Sequence, residues 1–356
     1  MEFSPKFREE ACEFPKRFEQ TSLDNRHLLE VRITENKGQA IFAVQNIPRG
    51  TAVVAEPPLL LAMDKASAYQ AFMELAYPQQ MAYLRLYGML PASSLDIPLD
   101  PQLGLPEQEL VCKIASVYHM NSFAGVVLEL AARFNHSCIP NTHMSYQMDA
   151  NPDRIFEFRL TRDVKAGEEL CVAYLHPFLA RAERQARFTG WGFQCSCPAC
   201  EETGEGNEIE AKIVAMTALY HELENEARGQ FPLTDDSSTL MKRRIPKLQK
   251  MTGLLRAVGL LGNDILKYYH ETAVCCAILG NAQMALLWAE KAADITLNIC
   301  GDKMHRAQDA RIVAQLQAAV KRSKNKPFKH EHIRWPGPGN LKRWMEVIMA
   351  MNPIDE

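Results

Sequence analysis

Three cysteines fall within six residues, Cys195-Ser196-Cys197-Pro198-Ala199-Cys200, and this cluster limits the chain more than any other feature. Isolated buried cysteines behave as small hydrophobes and have no reason to gather in this way. Ten cysteines in 356 residues are too sparse for a disulfide scaffold. The opening residues, MEFSPKFREEACEFPKRF, alternate charges and lack the apolar stretch of a secretory signal, so a reducing, intracellular setting is expected. Thiols at this spacing then point to tetrahedral zinc, which requires a fourth ligand. Cys138, Cys171, Cys112 and several histidines are candidates, and spacing alone does not choose among them.

The length suggests two packed units. Apolar residues at 47% and charged residues at 23% describe an ordinary folded protein. Lys+Arg 40 against Asp+Glu 43 leaves a formal charge of −3, so no global field draws the chain to nucleic acid or an anionic membrane. Its longest apolar runs, PPLLLAM and AGVVLELAA, fall short of the roughly 20 residues that cross a bilayer, so no membrane span is expected.

Residues 28–61 are β-rich runs broken by Asn36-Lys37-Gly38 and Pro48-Arg49-Gly50, the pattern of a hairpin or meander. Helical spacing appears from Lys65 to about Leu90 and again over 109–134, on either side of a Pro-rich loop. Strands return over 142–174, where Ile155-Phe156-Glu157-Phe158-Arg159-Leu160 alternates cleanly. The acidic, Gly-containing EETGEGNE after Cys200 marks a boundary near residue 205, beyond which the chain reads as helices. Ala273 to Cys300, with its turn at Gly280-Asn281, resembles one tetratricopeptide-type repeat, with Ala289 where an aromatic is usual. Met241 to Lys250 carries five positive charges, and 201–226 holds eight Glu against one Lys; both read as solvated faces.

Residues 133–141 read Arg-Phe-Asn-His-Ser-Cys-Ile-Pro-Asn, with no Gly-x-Ser-x-Gly elbow to make Ser137 a hydrolase nucleophile. His221-Glu222 and His270-Glu271 lack the second histidine of a zincin helix, and no dinucleotide fingerprint is present. The basic tail from Lys321 to Arg343, with Phe328, Trp335 and Trp344 interleaved, reads as a solvated or packed terminus.

Taken in order, the Asn-His-Ser-Cys-x-Pro-Asn run, the segment GEELCVAY ending in Tyr174, and the Cys-x-Cys-x-x-Cys tail resemble the SET-domain methyltransferases, most closely the SMYD-type branch and its fungal relatives. The resemblance implies an α+β fold. Its parts are an N-terminal extension over 1–27, a β-rich SET domain over 28–61 and 116–185, and an inserted helical segment over 62–115. A zinc-bound post-SET tail comes next over 186–204, then an all-α, TPR-like domain over 205–356. The insertion holds only Cys112, so the MYND zinc module of many SMYD proteins is not expected.

The same resemblance implies site residues. Lys37 and Gln39, in KGQAIFA, would contact S-adenosylmethionine, as would Asn121, Asn135, His136 and Tyr174, with Phe193 near the adenine. Ala40 stands where the family usually has a second glycine. Tyr174 would be the catalytic orienting group, and it would line the substrate channel with Trp191, where relatives often place a tyrosine. Structural zinc would be held by Cys138, Cys195, Cys197 and Cys200. The activity implied is transfer of methyl to lysine of a histone or other protein, with chromatin or another protein as partner, in the nucleus, the cytoplasm or both. The rivals are a non-catalytic SET scaffold that binds a peptide through its helical domain, and a SET enzyme acting on a non-protein acceptor.

Overall fold

The computed structural model describes residues 25–88, 104–145, 155–229, 237–300 and 303–323, apart from Asn36 and Ala124, together with Lys329. Most of the N-terminal extension, the Pro-rich loop and most of the basic tail lie outside the described residues.

A short 3-10 turn at Arg26–Leu28 leads into β1 (Leu29–Thr34), which pairs antiparallel with β2 (Gly38–Ala43). The turn between them reverses at Gly38, whose φ of +67° suits a residue without a β-carbon. Ala40 lies fully buried within β2, so its methyl is accommodated in the sheet. β3 (Ala52–Glu56) and the two-residue β4 (Leu60–Leu61) precede the helical insertion, α1 (Lys65–Met73) and α2 (Tyr77–Leu84). The next helix is α3 (Leu105–Asn121).

The helical reading of 109–134 is corrected beyond Asn121. Chain reversal at Gly125, φ +88°, folds Ser122–Phe123 (β5) onto Val126–Val127 (β6), and a 3-10 turn at Ala131–Arg133 comes next. The apolar spacing there is real, but it serves a hairpin built around a left-handed glycine.

β7 (Asn135–His136), β8 (Thr142–Ser145), β9 (Phe156–Leu160) and β10 (Glu169–Val172) complete three small sheets, ordered β1-β2-β10-β7, β3-β9-β8 and β4-β6-β5. The alternation read in the sequence places Phe156, Phe158 and Leu160 inward. Phe158 stacks on Phe134 at 4.9 Å and meets the edge of Phe123 at 6.2 Å, which ties the strands to the segment that carries Asn135 and His136.

α4 (Arg181–Phe188) and a 3-10 turn at Thr189–Trp191 lead to the cysteine tail. Beyond it run helices α5 (Gly204–Gly229), α6 (Ser237–Val258), α7 (Asn263–Ile278), α8 (Ala282–Ile295) and α9 (Lys303–Ser323). The Gly280-Asn281 turn behaves as read: Gly280 adopts φ +75° and the Asn281 side chain accepts from Met284 N, capping α8. This half packs against the strands, where Arg49 pairs with Asp294 at 2.8 Å.

The two charge runs read as solvated faces are in part turned toward each other. Arg244 of α6 is buried against Glu271 of α7 and reaches Glu226 of α5 at 3.3 Å, while Lys247 pairs with Glu226 at 2.7 Å and with Glu222. An acidic helix packed against a basic one satisfies its charges internally, which charge counting along the chain does not reveal.

Candidate active site and metal centre

Tyr174 lies just beyond β10 and is held at two points. Its hydroxyl donates to the carbonyl of Phe134 at 2.7 Å, and its backbone N–H donates to Nδ1 of His136 at 2.9 Å. Burial pushes the phenol well above its usual range, so the hydroxyl stays neutral. Because Nδ1 of His136 accepts, the ring proton sits on Nε2, which lies 3.2 Å from the sulfur of Cys138. Burial lowers the imidazole to about 4 and keeps it neutral. One ring therefore links the candidate catalytic tyrosine to the cysteine cluster.

Around Tyr174 the aromatic rings close in. His136 lies 5.3 Å away by ring centroid, and Trp191 sits perpendicular to it at 5.6 Å. Phe188 touches His136 at 4.5 Å and Phe193 at 4.8 Å, so Phe193 belongs to the same aromatic set.

On the β2–β10–β7 sheet a polar cluster assembles. Parallel pairing sets Cys171 opposite Asn135 and Val172 opposite His136. Glu169 receives the ammonium of Lys37 at 2.8 Å on one carboxylate oxygen and the amide of Asn135 at 2.9 Å on the other. Partial burial works against the Lys37 charge, but the Glu169 carboxylate outweighs it and raises the lysine above its ordinary value. Asn135 also donates to the carbonyl of Gln39 at 3.2 Å, and the Gln39 side chain accepts from Nε of Arg133 at 2.7 Å. Lys37, Gln39, Asn135 and His136 are thus brought together. Asn121 stands apart: its amide nitrogen donates to backbone carbonyls, of Tyr87 at 2.6 Å and Val117 at 2.7 Å, where it ties the end of α3 to the insertion.

Asn141 holds the motif in place. Its amide donates to the carbonyl of Glu169 at 2.8 Å and its oxygen accepts from the N–H of Cys171 at 2.8 Å. A side chain that satisfies two backbone groups of β10 stands in for a neighbouring strand.

Cys138, Cys195, Cys197 and Cys200 are all buried, with their sulfur atoms within 4.8 Å of one another. Cys138 and Cys200 are 3.6 Å apart. Tetrahedral thiolates around zinc, with bonds of about 2.3 Å, stand about 3.8 Å from each other, so the donor set fits that ion. The backbone N–H of Cys138 also donates to the Cys197 sulfur at 3.4 Å. Four thiols this close cannot all ionise without a cation among them. Cys171 and Cys112, open as alternatives on spacing alone, lie outside the cluster.

Arg184 carries no mark in the sequence. Its side chain is 1% exposed and donates to the carbonyls of Leu179 at 2.6 Å and Ala199 at 3.2 Å, to the Cys200 sulfur at 3.6 Å, and to Glu210 of α5 at 2.9 Å. Its charge offsets thiolate charge and bolts the cysteine tail to the first long helix. Arg181 and Arg187 of the same helix look equivalent in sequence, yet Arg187 is exposed and Arg181 only half-buried. Arg184→Met should destabilise the chain by about 3–5 kcal/mol, because Glu210 and two carbonyls lose their partner, and should speed extraction of metal by a chelator. Wild-type chelation kinetics and urea midpoint in the variant would remove this role.

Part of this chain is similar in sequence to known proteins. The SET domain family model matches residues 38–175. The histone-lysine N-methyltransferase set5 of Schizosaccharomyces pombe is 28% identical over 169 residues, 46% of this chain and 48% of that protein. The protein-lysine N-trimethyltransferase SMYD5 of Gallus gallus is 33% identical over 109 residues, 29% of this chain and 22% of that one. The matched stretches span less than half the length of these curated relatives. Among solved structures, the SET domain of LSMT bound to lysine and AdoHcy aligns over 91% of this chain and 96% of that one, at 12% identity and a TM-score of 0.31. The strands β2, β7 and β10 that carry the polar cluster, the Tyr174 anchor and the Cys138 sulfur all fall inside residues 38–175, the interval that matches the SET domain family model.

Proposed function

We propose that the chain is an S-adenosylmethionine-dependent protein-lysine N-methyltransferase with a structural zinc site. The observation that carries the reading is the double anchoring of Tyr174, through Phe134 O and His136 Nδ1, beside the Lys37–Glu169–Asn135 cluster. The curated relatives named above are lysine methyltransferases, which supports the reaction class.

The cofactor, when bound, supplies an electrophilic methyl group on a sulfonium. The chain's own residues have three tasks. Lys37, Gln39 and Asn135 offer a charged and amide-lined cradle for the polar end of such a molecule, with Phe193 offering an aromatic face. Tyr174, neutral and fixed, orients an incoming amine, and the Phe134 carbonyl it engages presents a negative dipole to positive charge. His136, Phe188 and Trp191 exclude water, which favours the uncharged amine that acts as nucleophile.

Zinc held by Cys138, Cys195, Cys197 and Cys200 leaves no coordination position open, so its role is to staple the tail across the motif. We assign residues 205–356 to a TPR-like helical domain that forms one wall of the substrate groove, with a protein substrate as partner and the nucleus or cytoplasm as its place of action. Among the described residues no helix is long and apolar enough to cross a membrane.

The deciding experiment offers labelled S-adenosylmethionine to the full chain in an extract of source cells. Label on protein lysine is the expected result. Cofactor binding by calorimetry without any transfer would favour the scaffold reading, for which the bulk of Trp191 against Tyr174 speaks. Absence of cofactor binding would end the methyltransferase reading.

A further inference from the structure

Glu56, the last residue of β3, is fully buried. Its two carboxylate oxygens are engaged by consecutive backbone donors: Oε2 accepts from Leu130 N at 3.0 Å and Oε1 from Ala131 N at 2.7 Å. Those N–H groups open the 3-10 turn at Ala131–Arg133, where a helical turn leaves its first donors without an internal partner. The residues after the turn build the site. Arg133 holds Gln39, the carbonyl of Phe134 takes the Tyr174 hydroxyl, Asn135 meets Glu169, and His136 receives the Tyr174 N–H.

We infer that Glu56 is a positioning residue for the cofactor cradle and for Tyr174, acting through the 130–131 amides, and that only its ionised form holds the turn in the binding-competent position. The inference rests on the methyltransferase reading for what the site binds, and on geometry for how it is held. A carboxylate can accept from both amides at once, whereas a protonated acid must direct its O–H away and loses one of the two bonds.

Glu56 is placed to make that change near neutrality. Burial raises its carboxyl to about 7, against the lowering influence of the two backbone N–H groups and of Arg26. The charged groups that face it are Arg26, from the turn before β1, and Glu129, just ahead of the 3-10 turn; from β9 the residue in register is the apolar Phe156. Because burial dominates, removal of the charge does not unfold the chain: a neutral side chain of the same shape avoids the desolvation that the carboxylate suffers. A positional role and a structural one are therefore separable.

The test uses the full chain, with S-adenosylhomocysteine as the probe, titrated calorimetrically across about two pH units either side of neutrality. Wild type should bind tightly on the alkaline side and lose affinity with a midpoint near 7. Glu56→Gln, which presents an amide NH2 to one of the two N–H groups, should bind at least about tenfold more weakly on the alkaline side and show no such midpoint, while it stays folded there. A second measurement needs no variant: the amide proton resonances of Leu130 and Ala131 in wild type should move together with pH about the same midpoint. The inference is overturned if Glu56→Gln binds like wild type, if the variant keeps the midpoint, or if those two resonances stay still. A wild type that binds no probe at any pH removes the methyltransferase reading instead, and the amide titration then still decides whether Glu56 governs the turn.

Discussion

Replacement of Cys197 by serine should empty the metal centre and unfasten the tail after Phe193. A structural zinc contributes roughly 10–16 kcal/mol to folding in small metal-dependent modules, as much as the entire stability of a typical domain. Cys197 is one of the four clustered sulfurs, and a serine hydroxyl offers neither a thiolate nor its softness. The four cysteines also belong to one buried cluster with Phe188, Ile209, Ile213 and Met216, so damage at the metal spreads into α5. Even a residual loss of about 4 kcal/mol would lower the melting temperature by about 10 °C in a unit of this size. The measurement pairs metal analysis with thermal unfolding: metal content should fall from about one zinc per chain to none. Retention of one zinc by the variant would show that the ligand set is wrong.

Tyr174→Phe should separate chemistry from stability. The hydroxyl donates one hydrogen bond, to Phe134 O, worth about 1 kcal/mol, while the ring contacts with His136 and Trp191 and the backbone bond to His136 survive. Methyl transfer, by contrast, should drop by roughly 100-fold or more, because the amine loses its orienting group and the Phe134 carbonyl its fixed direction. Cofactor affinity and melting temperature should stay near wild type, since the Lys37–Glu169–Asn135 cluster is untouched. Transfer at the wild-type rate in this variant would remove Tyr174 from the chemistry. A parallel loss of cofactor binding would make it a structural residue.

Much of this was legible in the residues themselves. Thiol spacing announced a cysteine cluster, alternation announced β9, and Gly280-Asn281 announced a helix break, because each rests on covalent geometry or on a period of a few residues. The overlong helix at 109–134 failed where one left-handed glycine outweighed an apolar pattern that suits helix and hairpin equally. Glu56, Glu169 and Arg184 went unseen for another reason. Each is an ordinary charged residue whose importance lies in partners far along the chain: Glu56 with 130–131, Glu169 with Lys37, Arg184 with Glu210.

The sequence by itself determined which atoms are available: four candidate thiols, an Asn-His pair, a tyrosine after a strand, and a helical second half. Those are matters of residue identity and local spacing, which no packing can alter. Only the tertiary structure decided that Cys138 and neither Cys171 nor Cys112 joins the C-terminal thiols, that Asn121 is committed to the insertion, and that the acidic and basic runs of the helical half neutralise each other. A fourth ligand or a buried counter-charge is chosen by distance in space, and that distance is set by how the strands and helices cover their apolar faces.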